Sequence, residues 1–461
     1  MKIKDLIKQD PGFQYVIDSM ELMSSAGRRV MLDEEFVADG ALLERRWALL
    51  QKVADAVADT ANSCQCNDLR HCLMQLHDLQ GTLAALGGHQ ALNEVELFEV
   101  KLLAHLGGKA AVALGALGLA DDLPLPSLDA VAALLDPDAT GVVHFYIYDS
   151  YDPQLPVLRR EIATLQHDGS DPQRLTELLA RHAEVQQRVC ATLSDTLSHS
   201  HDALALTLHT LAYVDFLLAK ADLVARWHLA RPTLSDTTAY TALFNPRLRR
   251  RNTELGLRYQ NVDIALPHGV TLVTGANMAG KTVLLKSVGT AQLMVQCGFF
   301  APAQAAAVEP VDEVMASIGD EQNEMNGLSS FASEIIKISS IVQRVRSARI
   351  LVLVDEPART TNPVEGKALV QALISLLDAS GSTSLVTTHY SQLGTDCRRL
   401  RVRGFVEDMC DMPLTPQNIN CFIDYSLTPD LSDEAPQEAL RIATILGCDS
   451  KLLDIAREAL G

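Results

Sequence analysis

Long apolar runs are missing from this 461-residue sequence, and the absence of about 18 uninterrupted apolar residues argues against a transmembrane helix. The first residues, MKIKDLIKQD, lack the apolar segment of a secretory leader. The nine cysteines lack the spacing of a disulfide framework. Together these absences predict a protein of the reducing cytoplasm.

Positive charge is also scarce, because 39 Lys and Arg residues face 58 Asp and Glu residues, giving a net charge of −19. The chain as a whole therefore repels phosphate backbones, and contact with nucleic acid would need a local basic patch. The best candidate is Arg247 to Arg251, RLRRR. Such a run can equally be a solvated face.

A possible metal site is a short cluster of thiols and imidazole: Cys64, Cys66, His71 and Cys72. Its spacing is not that of a zinc knuckle, and the stretch follows a helical pattern. A structural role is therefore the favoured interpretation.

The length suggests two or three domains, and an apolar content of 48% is enough to bury their cores. Residues 1 to about 116 show apolar residues at helical steps. Val142 to Asp149, VVHFYIYD, is rich in aromatic and β-branched residues and predicts a strand. Two long helices, roughly Pro172 to Ser198 and Asp202 to His228, follow with a short connection that predicts an antiparallel hairpin.

From about Tyr240 onward, strands alternate with helices, which predicts a mostly parallel sheet. The tail Gln437 to Leu460 has the pattern of two short helices around Gly447.

The most informative stretch is Val270 to Val283, VTLVTGANMAGKTV, which combines a β-branched run, a glycine-rich turn and a helical pattern. This is the G-x-x-x-x-G-K-[ST] phosphate loop. Gly275 and Gly280 let successive backbone N–H groups point at phosphates, at the positive end of the next helix. Lys281 is predicted to reach the β- and γ-phosphates, and Thr282 to place its hydroxyl on Mg²⁺.

A second stretch, Arg349 to Glu356, supplies the expected partner. Its apolar run Ile350 to Val354 predicts a buried parallel strand whose end lies where open α/β sheets bind ligands. Asp355 would hold the Mg²⁺ shell, and Glu356 would act as the base or water-orienting group.

Four ordered motifs now give a family resemblance: GANMAGKT, SSFASEI from Ser329, LVDEPARTTNPVEG from Leu353, and TTHY from Thr387. Their order and spacing resemble the MutS family ATPase, a branch of the ABC-type nucleotide-binding fold. The resemblance implies an α/β P-loop ATPase domain of the ABC type, C-terminal to a mainly α-helical core and lever domain. The implied division is 1–235 for the helical domain, 236–430 for the ATPase domain and 431–461 for a helical dimerisation segment.

The resemblance also implies site residues. Catalytic roles fall to Glu356, His389, Lys281 and Ser329, and Thr282 and Asp355 would hold the metal. Ser329 and Ser330 match a segment that reaches the γ-phosphate of the other subunit in this family, and His389 matches its γ-phosphate sensor. The residues that would hold ATP are those of the phosphate loop, an aromatic residue that stacks on adenine and matches the family spacing only approximately, and the second serine of the SSFASEI motif. They are Gly275, Ala276, Asn277, Met278, Ala279, Gly280, Lys281 and Thr282 of the loop, then Tyr259 and Ser330. From the residues alone, Ser329 could instead be a helix N-cap and His389 a strand-end histidine.

Departures from the family pattern bear on the substrate. The similarity starts almost at Met1, which leaves no residues for the mismatch-reading domain, and the short connection between the long helices leaves none for the DNA clamp. Glycines usual after the two acids are replaced by Ala358 and Thr360. These features predict a motor with few means of reading a base.

The predicted function is that of an ATP-hydrolysing, Mg²⁺-dependent homodimeric switch of the class associated with DNA mismatch repair and mismatched-DNA binding. Hydrolysis would move the helical levers. The alternative is an ATP-dependent reactivating partner of a cobalamin-dependent amino-acid aminomutase, a metabolic enzyme, with no DNA substrate. The segment DEPARTTNPVEG, from Asp355 to Gly366, resembles the MutS-like branch associated with those enzymes.

Overall fold

A computed structural model describes residues 1–142, 144–169, 171–276, 279–319, 330–406, 419–430 and 439–460. The chain divides into two compact units that are interleaved along the sequence. The sheet unit contains Met1–Ser19, Glu35–Ala48 and Leu223–Gly461. The helical unit contains Met20–Glu34 and Leu49–Asp222. The predicted boundaries after residues 235 and 430 follow sequence motifs and stay a prediction, whereas the two compact units are defined by their contacts.

The first half of the chain is helical, as predicted. Its α-helices are α1 (Ile3–Leu6), α2 (Pro11–Asp18), α3 (Ser25–Asp33), α4 (Gly40–Ala58), α5 (Ser63–Met74), α6 (Gln80–Gly87), α7 (Glu94–Ala116), α8 (Asp129–Leu135), α9 (Gln154–Asp168), α10 (Pro172–Ser198) and α11 (His201–Trp227). Single 3₁₀ turns cover Thr60–Asn62, Asp149–Tyr151 and, later, Ile419–Phe422. The bounds of α10 and α11 agree with the predicted pair of long helices.

Side-chain caps fix several of these helix starts. Asp171 accepts a hydrogen bond from the Arg174 N–H before α10, where Pro172 occupies the first helical position. Helix α11 is long and apolar enough to cross a membrane, but 67% of its most apolar window is buried. That burial is typical of a core helix of a folded domain.

The predicted strand from Val142 to Asp149 is wrong, because its described residues lie in no strand. Phe145, Ile147 and Tyr148 are buried, and the Tyr148 hydroxyl donates to Asp136 Oδ1 at 2.8 Å. The described part of the helical unit offers no other strand with which the segment could pair. The aromatic and β-branched residues of this segment therefore reflect burial in a helical unit, and they do not indicate strand pairing.

The second half of the chain supplies the strands and their covering helices. The strands are β1 (Thr233–Leu234), β2 (Thr238–Leu243), β3 (Val262–Leu266), β4 (Gly269–Thr274), β5 (Ala305–Val308), β6 (Glu313–Ser317), β7 (Ile350–Val354), β8 (Thr383–Thr387), β9 (Arg398–Phe405) and β10 (Ile423–Pro429). The helices are α12 (Pro246–Glu254), α13 (Lys281–Gln296), α14 (Ser330–Arg344), α15 (Pro363–Ser380), α16 (Ala439–Ile445) and α17 (Ser450–Leu460). The two short tail helices around Gly447 are confirmed.

Among the described residues, six strands form the main sheet in the order β10-β9-β4-β8-β7-β6. All neighbours in it are parallel except β9 and β10, so the predicted mostly parallel sheet is confirmed. A smaller sheet has the order β1-β5-β2-β3. The main core lies between β4, β7 and β8 and the helices α14 and α15. Every residue of β7 is buried, as expected for a continuous apolar strand covered on both faces.

N-terminal residues pack on α13, the helix that follows the phosphate loop. The Trp47 indole N–H donates to the Val295 carbonyl at 3.1 Å, and Phe13 meets Phe299 edge to face. Thr290 donates to Asp10 Oδ1 at 3.1 Å. These contacts explain why residues 1–19 and 35–48 belong to the sheet unit.

Candidate nucleotide-binding site

Three neighbouring parallel strands end at the same edge of the main sheet. Strand β4 leads into the glycine-rich loop, β7 into Asp355 and Glu356, and β8 into Thr388 and His389. Because β8 lies between β4 and β7, the carboxyl ends of all three strands converge. This edge is where open α/β sheets place ligands.

The backbone of the loop requires its two glycines. Gly275 has φ +148 and Gly280 has φ +76, a region that L-residues rarely adopt. A Cβ at Gly280 would lie 2.9 Å from Tyr425 Cδ1, so a side chain there would also collide with a ring. Helix α13 starts directly after Gly280 without a side-chain cap. Its first N–H groups and its dipole suit an anion at this point.

Lys281 is buried, and its ammonium group is held at the start of α13. Its Nζ donates to the carbonyls of Gly275 at 2.7 Å and Ala276 at 3.1 Å, and lies 3.1 Å from Glu356 Oε1. Arg359 Nη1 lies 4.0 Å from the other Glu356 oxygen. The predicted phosphate-binding lysine and the predicted base thus meet in one ion pair.

Thr282 and Asp355, the predicted metal ligands, are in direct contact. The Thr282 hydroxyl donates to Asp355 Oδ2 at 2.6 Å, and the Thr387 hydroxyl donates to Asp355 Oδ1, also at 2.6 Å. A hydroxyl and a carboxylate are hard oxygen donors, which suit Mg²⁺ with further ligands from water and phosphate. The residues present therefore fit the predicted ion.

Thr387 connects both acids, since its Oγ1 also accepts a hydrogen bond from the Glu356 N–H at 2.9 Å. Sequence reasoning gave it no role. It is the first residue of the TTHY motif and the last of β8, and its contacts with the two acids could be foreseen only with the strand order known.

His389 follows β8, and its ring centroid lies 4.3 Å from that of Tyr390. Surrounding protein lowers the pKa of His389 by shielding the ring from water, and the nearby Glu356 carboxylate opposes this shift. The imidazole is therefore mainly neutral near pH 7 and can donate or accept a hydrogen bond.

Next to the loop lies a largely apolar cavity of about 260 Å³. Tyr259, the predicted stacking aromatic, lines it, and so do Ala279 and Gly280 of the loop. Burial raises the pKa of Tyr259, whose hydroxyl accepts a hydrogen bond from the Asn245 N–H at 2.7 Å. Tyr425 of β10 also lines the cavity and was missed from the sequence, because no motif spacing connects β10 to the loop.

Some predicted residues cannot be placed in the site. Asn277, Met278 and Ser329 lie outside the described residues, and so does the side chain of Ser330, the first residue of α14. Their roles remain predictions.

The predicted basic run lies within α12, and two of its arginines are engaged by neighbouring residues. Arg249 packs 4.3 Å over the Phe244 ring and donates to the Trp227 carbonyl, while Arg250 pairs with Glu254 at 2.8 Å. Arg247 and Arg251 are exposed.

The thiol and histidine cluster lies on α5, where Cys66 and Cys72 are buried and Cys64 and His71 are exposed. Burial raises the pKa of both buried thiols. Within the described ranges, no group of three or more His, Cys, Asp or Glu residues is arranged to hold a metal ion.

The second half of the chain is similar in sequence to a known protein family. Residues 271–460 match the family described as MutS domain V. Endonuclease MutS2 of Thermus thermophilus is 35% identical over 222 residues, which are 48% of this chain and 28% of that protein. Endonuclease MutS2 of Lactiplantibacillus plantarum is 30% identical over 299 residues, 62% of this chain and 35% of that protein.

A third relative, endonuclease MutS2 of Leuconostoc mesenteroides, is 32% identical over 228 residues, covering 48% of this chain and 27% of the relative. The chain thus spans about a third or less of the length of these curated relatives. Over residues 271–460, the chain is similar to the family described as MutS domain V.

Proposed function

We propose that this chain binds ATP with Mg²⁺ at the edge of the main sheet and hydrolyses it to ADP and phosphate. MutS domain V is the ATPase domain of its family, which supports the reaction class. The observation that carries the proposal is the convergence of Lys281, Thr282, Asp355 and Glu356 at the ends of adjacent parallel strands.

Each group has a distinct role in this proposal. Lys281 neutralises charge on the β- and γ-phosphates, and the N–H groups at the start of α13 add to that attraction. Thr282 and Asp355 would hold the ion, which when bound neutralises phosphate charge. Glu356 orients or deprotonates the attacking water, and neutral His389 donates a hydrogen bond to the γ-phosphate.

The base would enter the adjacent cavity, between the loop and β10. Tyr259 and Tyr425 provide aromatic surfaces for stacking there. Ala279 and Gly280 belong to both the loop and the cavity wall, so a single nucleotide can reach both parts of the site.

The proposal includes a homodimer with two composite sites, in which Ser329 of one subunit completes the phosphate loop of the other. A mixing experiment tests this arrangement. Lys281→Ala and Ser329→Ala are each expected to be inactive, but a heterodimer of the two retains one site with both residues intact. Mixing should restore roughly a quarter of the wild-type turnover, because half the dimers carry one intact site of two. If mixing restores nothing while both variants still dimerise, the shared site is wrong.

The relatives above are named endonucleases, which supports a nucleic-acid partner for the lever movement that hydrolysis would drive. The aminomutase alternative gains no support from them. We retain DNA repair or recombination intermediates as the proposed substrate class, and the cytoplasm as the proposed location.

The proposed DNA contact is tested by ATP turnover with a branched duplex, a mismatched duplex and no duplex. Stimulation should fall in the variant Arg247→Ala with Arg251→Ala, since those two arginines are exposed. The matched control is Arg160→Ala with Arg346→Ala, also exposed. Equal rates with and without every duplex would remove DNA from the proposal and leave the ATPase intact.

A further inference from the structure

The turn that follows β7 has an unusual backbone. Glu356 has φ +45 and Ala358 has φ +59, both in the left-handed region that favours glycine. Ala358 is also fully buried. Two left-handed non-glycine residues so close together persist only where surrounding structure determines their conformation.

The backbone N–H and carbonyl of Ala358 are hydrogen-bonded to side chains from two other segments. Its N–H donates to Glu334 Oε1 on α14 at 3.0 Å. Its carbonyl accepts a hydrogen bond from the Tyr390 hydroxyl, after β8, at 3.1 Å. The two contacts fix the plane of the backbone on both sides of Ala358.

A glycine on α15 makes room for this arrangement. A Cβ at Gly366 would lie 2.2 Å from the Tyr390 hydroxyl oxygen and 3.0 Å from the Ala358 carbonyl oxygen. The tyrosine hydroxyl therefore reaches Ala358 only because residue 366 has no side chain. We call Glu334, Tyr390 and Gly366 the Ala358 clamp.

The clamp lies beside groups that the proposed reaction uses. Glu356 is two residues before Ala358, and its N–H is anchored separately by Thr387. Tyr390 follows His389 and packs against its ring. Glu334 is on α14, about one helical turn after Ser330, whose predicted role is at the other subunit's γ-phosphate. The clamp thus joins the strand end that carries the acids to α14 and to the segment after β8.

Resting on the proposed ATPase function, we propose that Glu334 and Tyr390 are positioning residues for hydrolysis. They hold the left-handed turn so that the Glu356 carboxylate stays at the phosphate end of the site. Neither side chain needs to contact the nucleotide. Loss of either should therefore lower kcat and leave nucleotide affinity largely unchanged.

The first test measures kcat, KM and ATP affinity for Tyr390→Phe, Glu334→Ala and Glu334→Gln. The first two each remove one hydrogen bond to Ala358, and we expect kcat to fall about 3- to 10-fold, the equivalent of one such bond. Glu334→Gln keeps a carbonyl oxygen that can accept from the Ala358 N–H, so it should retain most of the wild-type kcat. Tyr146→Phe and Glu365→Ala, both at exposed positions, are matched controls.

The second test uses Gly366→Ala alone and combined with Tyr390→Phe. If the added methyl group acts by displacing the Tyr390 hydroxyl, removing that hydroxyl adds little to the loss. The double variant should then have about the same kcat as the less active of the two single variants. If the two substitutions acted independently, their fold-losses in kcat would multiply. Circular dichroism and ATP binding show whether each variant is folded.

The outcomes separate this inference from the function on which it rests. No turnover by the wild-type protein would overturn the proposed ATPase. Wild-type turnover with unchanged kcat in Tyr390→Phe and Glu334→Ala, or loss of kcat in Glu334→Gln equal to that in Glu334→Ala, would overturn the clamp alone.

Discussion

The phosphate end and the base cavity of the proposed site are built in contrasting ways. The phosphate end holds two acids, a buried lysine and two threonine hydroxyls, joined by contacts of 2.6 to 3.1 Å. The base cavity is lined mainly by apolar and aromatic side chains, including Leu243, Val283 and Tyr425. One end is a fixed polar network and the other is a hydrophobic slot.

The contrast teaches that the two ends should fail in different ways. The polar network is positioned by the order of β4, β8 and β7, and changes within it should affect chemistry or charge neutralisation. The cavity draws on several separate segments, and changes there should mainly affect affinity. The variants below test whether that division holds.

The largest effect is expected for Lys281→Ala. Its ammonium group provides charge-assisted hydrogen bonds at the phosphate end, and its removal also leaves Glu356 with the more distant Arg359 as its cationic partner. ATP affinity should fall by about 100-fold, the loss expected for strong hydrogen bonds to charged groups. Isothermal titration calorimetry measures this, with Lys286→Ala, an exposed lysine on the same helix, as the control. Equal affinity in both variants would show that the loop does not bind phosphate.

A smaller effect is expected for Tyr259→Ala and Tyr425→Ala. Loss of stacking on a base should raise KM for ATP about 10-fold, while kcat changes much less, since neither ring contacts the acids. Tyr425→Phe keeps the ring and should behave like wild type. A fall in kcat with unchanged KM in Tyr259→Ala or Tyr425→Ala would contradict the claim that the cavity affects affinity and the phosphate end affects chemistry.

Base selectivity should be weak, because the cavity's amide side chains are already engaged. Gln260 Nε2 donates to Asp424 at 2.8 Å, its Oε1 accepts from the Tyr425 N–H at 3.2 Å, and Asn252 donates to the Arg258 carbonyl at 2.9 Å. A cavity that stacks the base without dedicated side-chain hydrogen bonds discriminates poorly. Competition titrations should place the affinities for ATP and GTP within about 10-fold of each other. A preference above about 1,000-fold would mean that the base is read by hydrogen bonds.

The smallest effect is expected behind the site, at Asp10, which accepts hydrogen bonds from Phe13 N–H and Thr290. Burial raises the pKa of Asp10, so its ionised form is disfavoured in the folded protein. That penalty is present at neutral pH and disappears as the pH falls through the raised folded-state pKa. Asp10→Asn keeps an oxygen that can accept these hydrogen bonds but carries no charge. Its Tm at pH 7 should therefore be at least that of wild type and up to a few degrees higher, and the difference in Tm should shrink as the pH is lowered.

Turnover by Asp10→Asn should match wild type, which makes it a control for polar contacts of α13 outside the site. Differential scanning fluorimetry across pH measures the stability change. A lower Tm at pH 7 that recovers in acid would contradict the assigned sign.

The meeting of Lys281 with Glu356 and of Thr282 with Asp355 could be predicted from the sequence, because these residues lie in contiguous motifs. A loop with glycines at two left-handed positions and a strand ending in two acids can be identified without coordinates. Thr387 and Tyr425 could not be assigned roles in this way, because they join the site only through strand order and packing. The strand predicted from Val142 to Asp149 failed for a related reason, since alternating burial does not specify a pairing partner.

The arginine run shows the same limit. Four arginines read as one basic stretch, but two of them are engaged by Phe244, Trp227 and Glu254. The left-handed conformation of Ala358 was also hidden from the sequence, where the loss of a usual glycine was visible but its structural consequence was not.

The most direct test of the proposed hydrolysis site is a single-turnover measurement with protein in excess over labelled ATP, comparing wild type with Glu356→Gln. The wild-type protein should convert bound ATP to ADP, while the variant should bind ATP with similar affinity and keep it intact, with hydrolysis slowed at least about 100-fold. Hydrolysis by Glu356→Gln at the wild-type rate would contradict the assignment of the β7 acids as the reacting end of the site.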